Sequence, residues 1–185
     1  MKEWVKDNLG EKYVVKLLGV WNSFDEIDFN KLPNQFVLKC NHGSGYNMIV
    51  LDKNSFNIDE AKKKFDKWMQ TDFPFVAGME LHYKGIERKI ICEEYLQDGL
   101  IDLQAWCTNG EILFLSYINS PHGENTKRSY NEKWEPLDFV TSPPILESEV
   151  KKPKHLKEIL EISKKVSKNF KFIRVDFYIT SKGDI

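Results

Sequence analysis

The stretch Phe36-Val-Leu-Lys-Cys-Asn-His-Gly-Ser-Gly-Tyr-Asn-Met-Ile-Val constrains this chain more than any other. It places Lys39 near the end of one short apolar run, then a small polar loop from Asn41 to Gly45, then a second apolar run. Two β-type runs joined by a tight polar loop predict a hairpin. Glycines let backbone N–H groups approach an anion without an intervening Cβ, Ser44 adds a hydroxyl donor, and Lys39 adds a point charge. In a Walker A loop the lysine follows the glycines and a helix comes next, so this is a different device. From spacing alone the segment is either a phosphate-binding loop or an ordinary Gly-Ser hairpin beside an incidental lysine.

Around this hairpin the periodicities predict an α+β chain. Residues 3–19 predict a helix, or a helix and a turn, interrupted at Gly10, with Trp4, Val5, Leu9, Val14, Val15 and Leu18 as apolar points. Ser23, with Glu26 three residues on, predicts a capped helical turn. Residues 59–71 predict an amphipathic helix, with Ala61, Phe65, Trp68 and Met69 inward and the lysines at 62, 63, 64 and 67 solvated. Three strands follow, at 89–96, 101–107 and 112–118, with Asp98-Gly99 and Asn109-Gly110 as turn signals. Residues 119–152 are polar, carry four prolines and predict a long loop. A second amphipathic helix is predicted over 153–169. A strand is predicted over 170–180, with Phe172, Val175 and Phe177 among its apolar positions.

Lys182-Gly183-Asp184 predicts a further hairpin turn, and Ile185 opens the returning strand where the sequence stops. A hairpin without its second strand leaves an unpaired edge. The expectation is a fragment or split gene product, with a partner chain supplying the missing strand. A short edge strand with a frayed tail is the alternative.

Composition narrows the partners. The chain has 185 residues, 41% of them hydrophobic, enough for a core at this length. Charged residues make up 30% but the formal net charge is only -1, so no bulk attraction to nucleic acid or anionic lipid is expected. No apolar run approaches the roughly 18 residues of a membrane span, and the first ten residues lack the apolar core of a signal peptide. The cytosol is the expected address. Cys40, Cys92 and Cys107 each lie in an apolar run without metal-ligand spacing, which predicts buried reduced thiols.

Two more features could carry chemistry. Ile90-Ile-Cys-Glu93-Glu94-Tyr95-Leu96 is an apolar strand ending in paired carboxylates. It could offer backbone groups to an adenine edge, or simply run out to a solvated turn. Arg174-Val-Asp176-Phe-Tyr178 puts three polar residues on one strand face. Arginine suits phosphate and aspartate suits a hard cation, and a cross-strand ion pair is the alternative. Asp102 and Gln104 share a strand face and are candidates to line a cleft. Arg128, in the long polar loop, is a candidate for an acceptor or phosphate contact, and His82, after Glu80 and beside Tyr83, is either another such candidate or an ordinary helix-end or loop histidine.

The order of phosphate loop, hinge strand and acidic strand, with these local sequences, resembles the ATP-grasp superfamily. It resembles most closely the TupA-like branch, named for teichuronopeptide biosynthesis. The resemblance spans nearly the whole chain and rests on 32–47, Glu80-Leu-His-Tyr83, 91–96 and 172–178. It implies an α+β fold of antiparallel sheets with packed helices forming a nucleotide cleft. Residues 1–96 would be the N-terminal lobe with the phosphate loop, and 97–185 an incomplete C-terminal lobe.

The resemblance also implies roles. Lys39 would contact the α/β-phosphates and act in catalysis with Arg174. His42, Gly43, Ser44 and Gly45 would close over the phosphates, and Glu93, Tyr95 and Leu96 would hold the adenine. Asp176 would bind Mg²⁺. The implied activity is ATP-dependent ligation of a carboxylate to an amine through an acyl-phosphate, in bacterial surface-polysaccharide assembly in the cytoplasm or near the inner face of the membrane. The implied ligands are ATP, Mg²⁺ and a carboxylate or sugar acceptor. Glycosyl transfer and nucleotide binding without catalysis are the competing expectations. In the family a further strand bearing Gly-Glu-Leu-Thr supplies another metal-binding glutamate. This sequence ends before it, so weak nucleotide binding and no catalysis are expected of the chain as given.

Overall fold

The computed structural model describes residues 2–76, 79–96, 100–119, 126–139, 141, 145–146, 148, 150–180 and 185. The chain divides into two compact units, Met1–Tyr95 and Leu96–Ile185. The fold is mixed helix and antiparallel sheet, with three α-helices and two four-stranded sheets among the described residues.

The first unit contains α1 (Lys2–Asn8), β1 (Leu17–Trp21), β2 (Phe36–Cys40), β3 (Asn47–Val50), α2 (Ile58–Gln70) and β4 (Ile90–Glu94). Its strands lie in the order β1-β4-β2-β3, all antiparallel. Period-two alternation decides which face is covered. Phe36, Leu38 and Cys40 of β2 and Ile90 and Cys92 of β4 point into one core. Ala61 and Phe65 of α2 meet them there, with Trp68 and Met69 packed alongside. Asn57 caps α2, its side chain accepting from the Glu60 N–H at 3.0 Å. The lysines of α2 are solvated as expected, and Lys62 pairs with Asp25 at 2.7 Å.

One expected element is corrected. The helix stops at Asn8, Gly10 turns the chain at φ 115°, and a 3₁₀ turn over Glu11–Tyr13 leads into β1. Residues 17–21 are therefore strand rather than helix. Their ladder with β4 and the packing of Leu18 and Trp21 on the core outweigh the helical spacing. Ser23 and Glu26 do meet, Oγ to Oε1 at 3.3 Å, over a 3₁₀ turn at Phe24–Glu26.

The second unit contains β5 (Ile101–Thr108), β6 (Glu111–Asn119), β7 (Thr126–Tyr130), α3 (Leu156–Ser167) and β8 (Ile173–Ile179), with strands in the order β7-β6-β5-β8. Asn109 and Gly110 turn at φ 47° and 86°, the primed hairpin geometry expected of that pair. Leu103, Ala105, Cys107 and Leu115 pack with Leu156 and Ile159 of α3, and Ile185 packs partly buried on the same core.

Two expectations change here. The polar stretch expected as loop contains β7, whose Ser129 and Tyr130 are buried against the sheet. Phe172 lies before β8, 60% exposed, on the polar side of the alternation. The turn signals at 98–99 and 182–184, and Pro121 and His122, lie outside the described residues. All three cysteines are free and buried, and burial pushes the Cys40 and Cys92 thiols up to about 12.

Candidate functional site

In the first unit the face of the sheet opposite the core carries Val37 and Lys39 of β2 and Ile91 and Glu93 of β4. Val37 pairs with Glu93 and Lys39 with Ile91, so Lys39 and Glu93 are diagonal neighbours on one face. The lysine spans that diagonal, its Nζ 2.5 Å from Glu93 Oε2. The other carboxylate oxygen, Oε1, takes Lys2 Nζ at 2.8 Å, and Lys2 also donates to the Val15 carbonyl at 2.7 Å. Glu93 is 6% exposed. Burial pushes its carboxyl upward, but the bonds from Lys2 and Lys39 outweigh burial and hold it below the usual range.

The loop after Lys39 is anchored from beneath by aromatic rings. Tyr46 stacks on Trp68 at 5.1 Å and meets Phe73 edge-on at 5.1 Å. His42 is buried, with Nε2 2.9 Å from the Trp68 carbonyl oxygen and its ring edge-on to Tyr46. Gly43 lies against Phe73 and Tyr46, where a Cβ would come within 2.8 and 2.9 Å of their rings. Ser44 and Gly45 are exposed, and Gly45 has φ +74° with open space around it. The entry side is fastened by Asn41, which bonds the Glu87 carbonyl at 2.9 Å and the Lys89 N–H at 2.8 Å. The loop thus has a fixed base and an exposed Ser-Gly crest.

Tyr95 and Leu96 are part-buried and straddle the division between the two units. His82 is exposed, 3.8 Å from Glu80, with its ring against Tyr83.

In the second unit the face away from α3 carries Asp102, Gln104 and Trp106 of β5 and Arg174, Asp176 and Tyr178 of β8. These pair as Asp102 with Tyr178, Gln104 with Asp176, and Trp106 with Arg174. Arg174 grips Asp176 through two 2.7 Å bonds and lies over the Trp106 ring at 5.5 Å. Burial, and next the charge of Asp176, push the Asp102 carboxyl up to about 6, against the pull of Arg174 and Lys127. Arg128 pairs with Tyr117 on the opposite face and donates to the Leu146 carbonyl at 3.1 Å. It does not join the acidic group.

Among the described residues no cluster of three His, Cys, Asp or Glu side chains could hold a metal. Two carboxylates and a glutamine oxygen on one face still fit a magnesium ion, which usually takes one or two carboxylates and keeps waters or phosphate oxygens in its remaining positions.

The family model of the TupA-like ATP-grasp proteins matches residues 1–184. The chain belongs to the TupA-like ATP-grasp family. One solved structure supports the fold, and two others align more loosely. Phosphoribosylamine–glycine ligase from Thermotoga maritima aligns over 99% of this chain and 44% of its own, at 14% identity and a TM-score of 0.51. An L-amino acid ligase from Bacillus licheniformis aligns over 98% and 40%, at 14% identity and a TM-score of 0.49. The ATP-grasp ligase PsnB, solved with a minimal precursor, Mg and ADP, aligns over 92% and 42%, at 8% identity and a TM-score of 0.44. The chain thus spans less than half the length of these ligases. No curated protein matches it.

The ATP-grasp fold gathers Lys39 and Glu93 into one ionic cluster and sets the loop beside it. Lys2 was missed. Its only sequence signal is a cation on a short amphipathic helix, which does not announce a partner 91 positions away.

Proposed function

We propose that this chain carries the nucleotide-handling part of a Mg²⁺–ATP-dependent ligase joining a carboxylate to an amine. One observation carries the reading. In a chain of the ATP-grasp family, Lys39 stands at the mouth of a glycine loop with a fixed base, held by a buried glutamate. From the first unit, Lys39 takes the α/β-phosphates, the 42–45 backbone covers them, and Glu93, Tyr95 and Leu96 meet the adenine. From the second, Asp176 takes Mg²⁺ with Asp102 and Gln104 beside it.

ATP would give its terminal phosphoryl group to the acceptor carboxylate and leave as ADP, and the amine would attack the acyl carbon of the resulting acyl-phosphate and expel phosphate. Arg174 stabilises charge on the transferring group, an electrostatic and positioning task. The acceptor we propose is a uronic-acid sugar, an amino acid or a polymer end in surface-polysaccharide assembly. The family's namesake process, teichuronopeptide biosynthesis, supports this choice. Among the described residues no helix is long and apolar enough to cross a membrane. We place the work in the cytoplasm, near the inner face of the membrane.

Calorimetric titration with MgATP tests the reading. Binding by the wild type and its loss in Lys39→Ala are expected. Acceptor-dependent phosphate release from ATP then identifies the substrate. Binding of nucleotide sugars but not MgATP would replace ligation with glycosyl transfer.

A further inference from the structure

Glu93 carries more positive charge than it needs. Its two oxygens are held by two different lysines, Lys2 on α1 at 2.8 Å and Lys39 on β2 at 2.5 Å, while the residue is 6% exposed. One lysine is enough to neutralise the carboxylate, so the trio has a net charge of +1. The two lysines also differ in what else they hold. Lys2 is tied down a second time, at the Val15 carbonyl 2.7 Å away, whereas Lys39 bonds Glu93 and stands beside the loop.

A buried carboxylate stripped of its last cation is strongly unfavourable. With Lys39 as sole partner, swinging its ammonium to a phosphate would impose that penalty. With Lys2 in place the carboxylate stays paired. We propose that Lys2 is a positioning residue, which keeps Glu93 neutralised so that Lys39 is free to turn to an anionic ligand. This rests on the nucleotide-binding reading above. Lys2 need not touch the ligand.

A double-mutant comparison tests it, by calorimetric titration with MgATP in the full chain. Lys2→Ala is expected to weaken binding about tenfold, and Lys2→Arg to stay within about threefold of wild type. The deciding arm is the same K2A change in an E93Q background. There no carboxylate charge remains to be covered, and K2A should cost less than about threefold. Thermal melts of each variant confirm that the proteins compared are folded.

If Lys2 merely holds α1 through the Val15 carbonyl, K2A costs the same with and without E93Q, and the proposal falls. Unchanged affinity in K2A also overturns it. If wild type and Lys39→Ala bind MgATP equally, or neither binds, the nucleotide reading itself fails and takes the proposal with it. A Lys39-dependent wild type with equal K2A losses in both backgrounds defeats the proposal alone.

Discussion

Arg174 holds Asp176 along its own strand, Nε on Oδ1 and Nη2 on Oδ2, each at 2.7 Å. The two residues are separated by Val175, so they share a face, and the planar fork of the guanidinium matches the carboxylate. The pair sets the field felt by Asp102, whose carboxyl is pushed up to about 6 by burial first and by Asp176 second, with Arg174 pulling the other way. Asp176→Asn should therefore move the Asp102 midpoint down toward the ordinary carboxylate range, and Arg174→Ala should move it up. Carboxyl-carbon NMR titration of the metal-free protein measures both. If neither variant moves it, burial alone sets the value.

The same group makes a stability prediction. Its folded value, about 6, lies above the unfolded value of about 4, so the folded state binds the proton more tightly between them. Stability must then fall as pH rises through that window, and the penalty is complete above it. Asp102→Asn removes the ionisation, and should stabilise the protein by about 1–2 kcal/mol at pH 7 after allowance for solvent screening. At pH 4 the gain should be near zero. Urea unfolding at the two pH values compares them. Equal effects at both would mean that Asp102 is not strained.

Glu93 behaves in the opposite sense. Its lowered folded value contributes stability above the unfolded carboxylate value of about 4.3, and that stability is lost as pH falls through the folded value. Removing both lysines in K2A/K39A leaves a carboxylate that is only 6% exposed without its cations, a loss of about 3–5 kcal/mol at pH 7. Burial then dominates and raises the Glu93 carboxyl, so the variant should gain stability on acidification where the wild type loses it. Adding E93Q should recover most of the loss. Chemical denaturation from pH 4 to 7 reads the sign of the slope.

Much of this site could be read from local sequence, because local rules control it. The hairpin around Lys39 follows from two short β runs and a glycine loop, and the shared face of Arg174 and Asp176 follows from strand alternation. What local rules do not contain is pairing across the chain. Residues 14–19 carry a helical spacing, yet β4 claims 17–21 as an edge strand. The polar run that hides β7 has too few apolar residues to signal a strand, and its ladder with β6 supplies the reason. The family resemblance implies that His42 closes over phosphate. Its ring is buried because it lies edge-on to Tyr46 with Nε2 against the Trp68 carbonyl oxygen, 26 positions along the chain, while Trp68 and Phe73 pack on Tyr46.

That packing makes Gly43 and Gly45 unequal, though they look interchangeable in the sequence. At Gly43 a Cβ would meet Phe73 Cδ2 at 2.8 Å and Tyr46 Cδ2 at 2.9 Å. Neither ring has an easy retreat, since Tyr46 is stacked on Trp68 at 5.1 Å and Phe73 is edge-on to Tyr83 at 5.2 Å. Gly43→Ala should cost about 1–3 kcal/mol by overpacking, with a melting temperature lower by about 2–4 °C for each kcal/mol. At Gly45 nothing lies within 4 Å, and the cost comes from φ +74° alone, about 1–2 kcal/mol at most. Function should reverse the ranking. Gly43→Ala acts on the base of the loop, while Gly45 stands at the exposed crest where the backbone must approach a phosphate. Gly45→Ala is therefore expected to weaken MgATP binding more per kcal/mol of stability lost. Thermal melts and calorimetric titrations of the two variants test this together. Should both variants lose affinity only in proportion to stability, the crest has no direct part in binding.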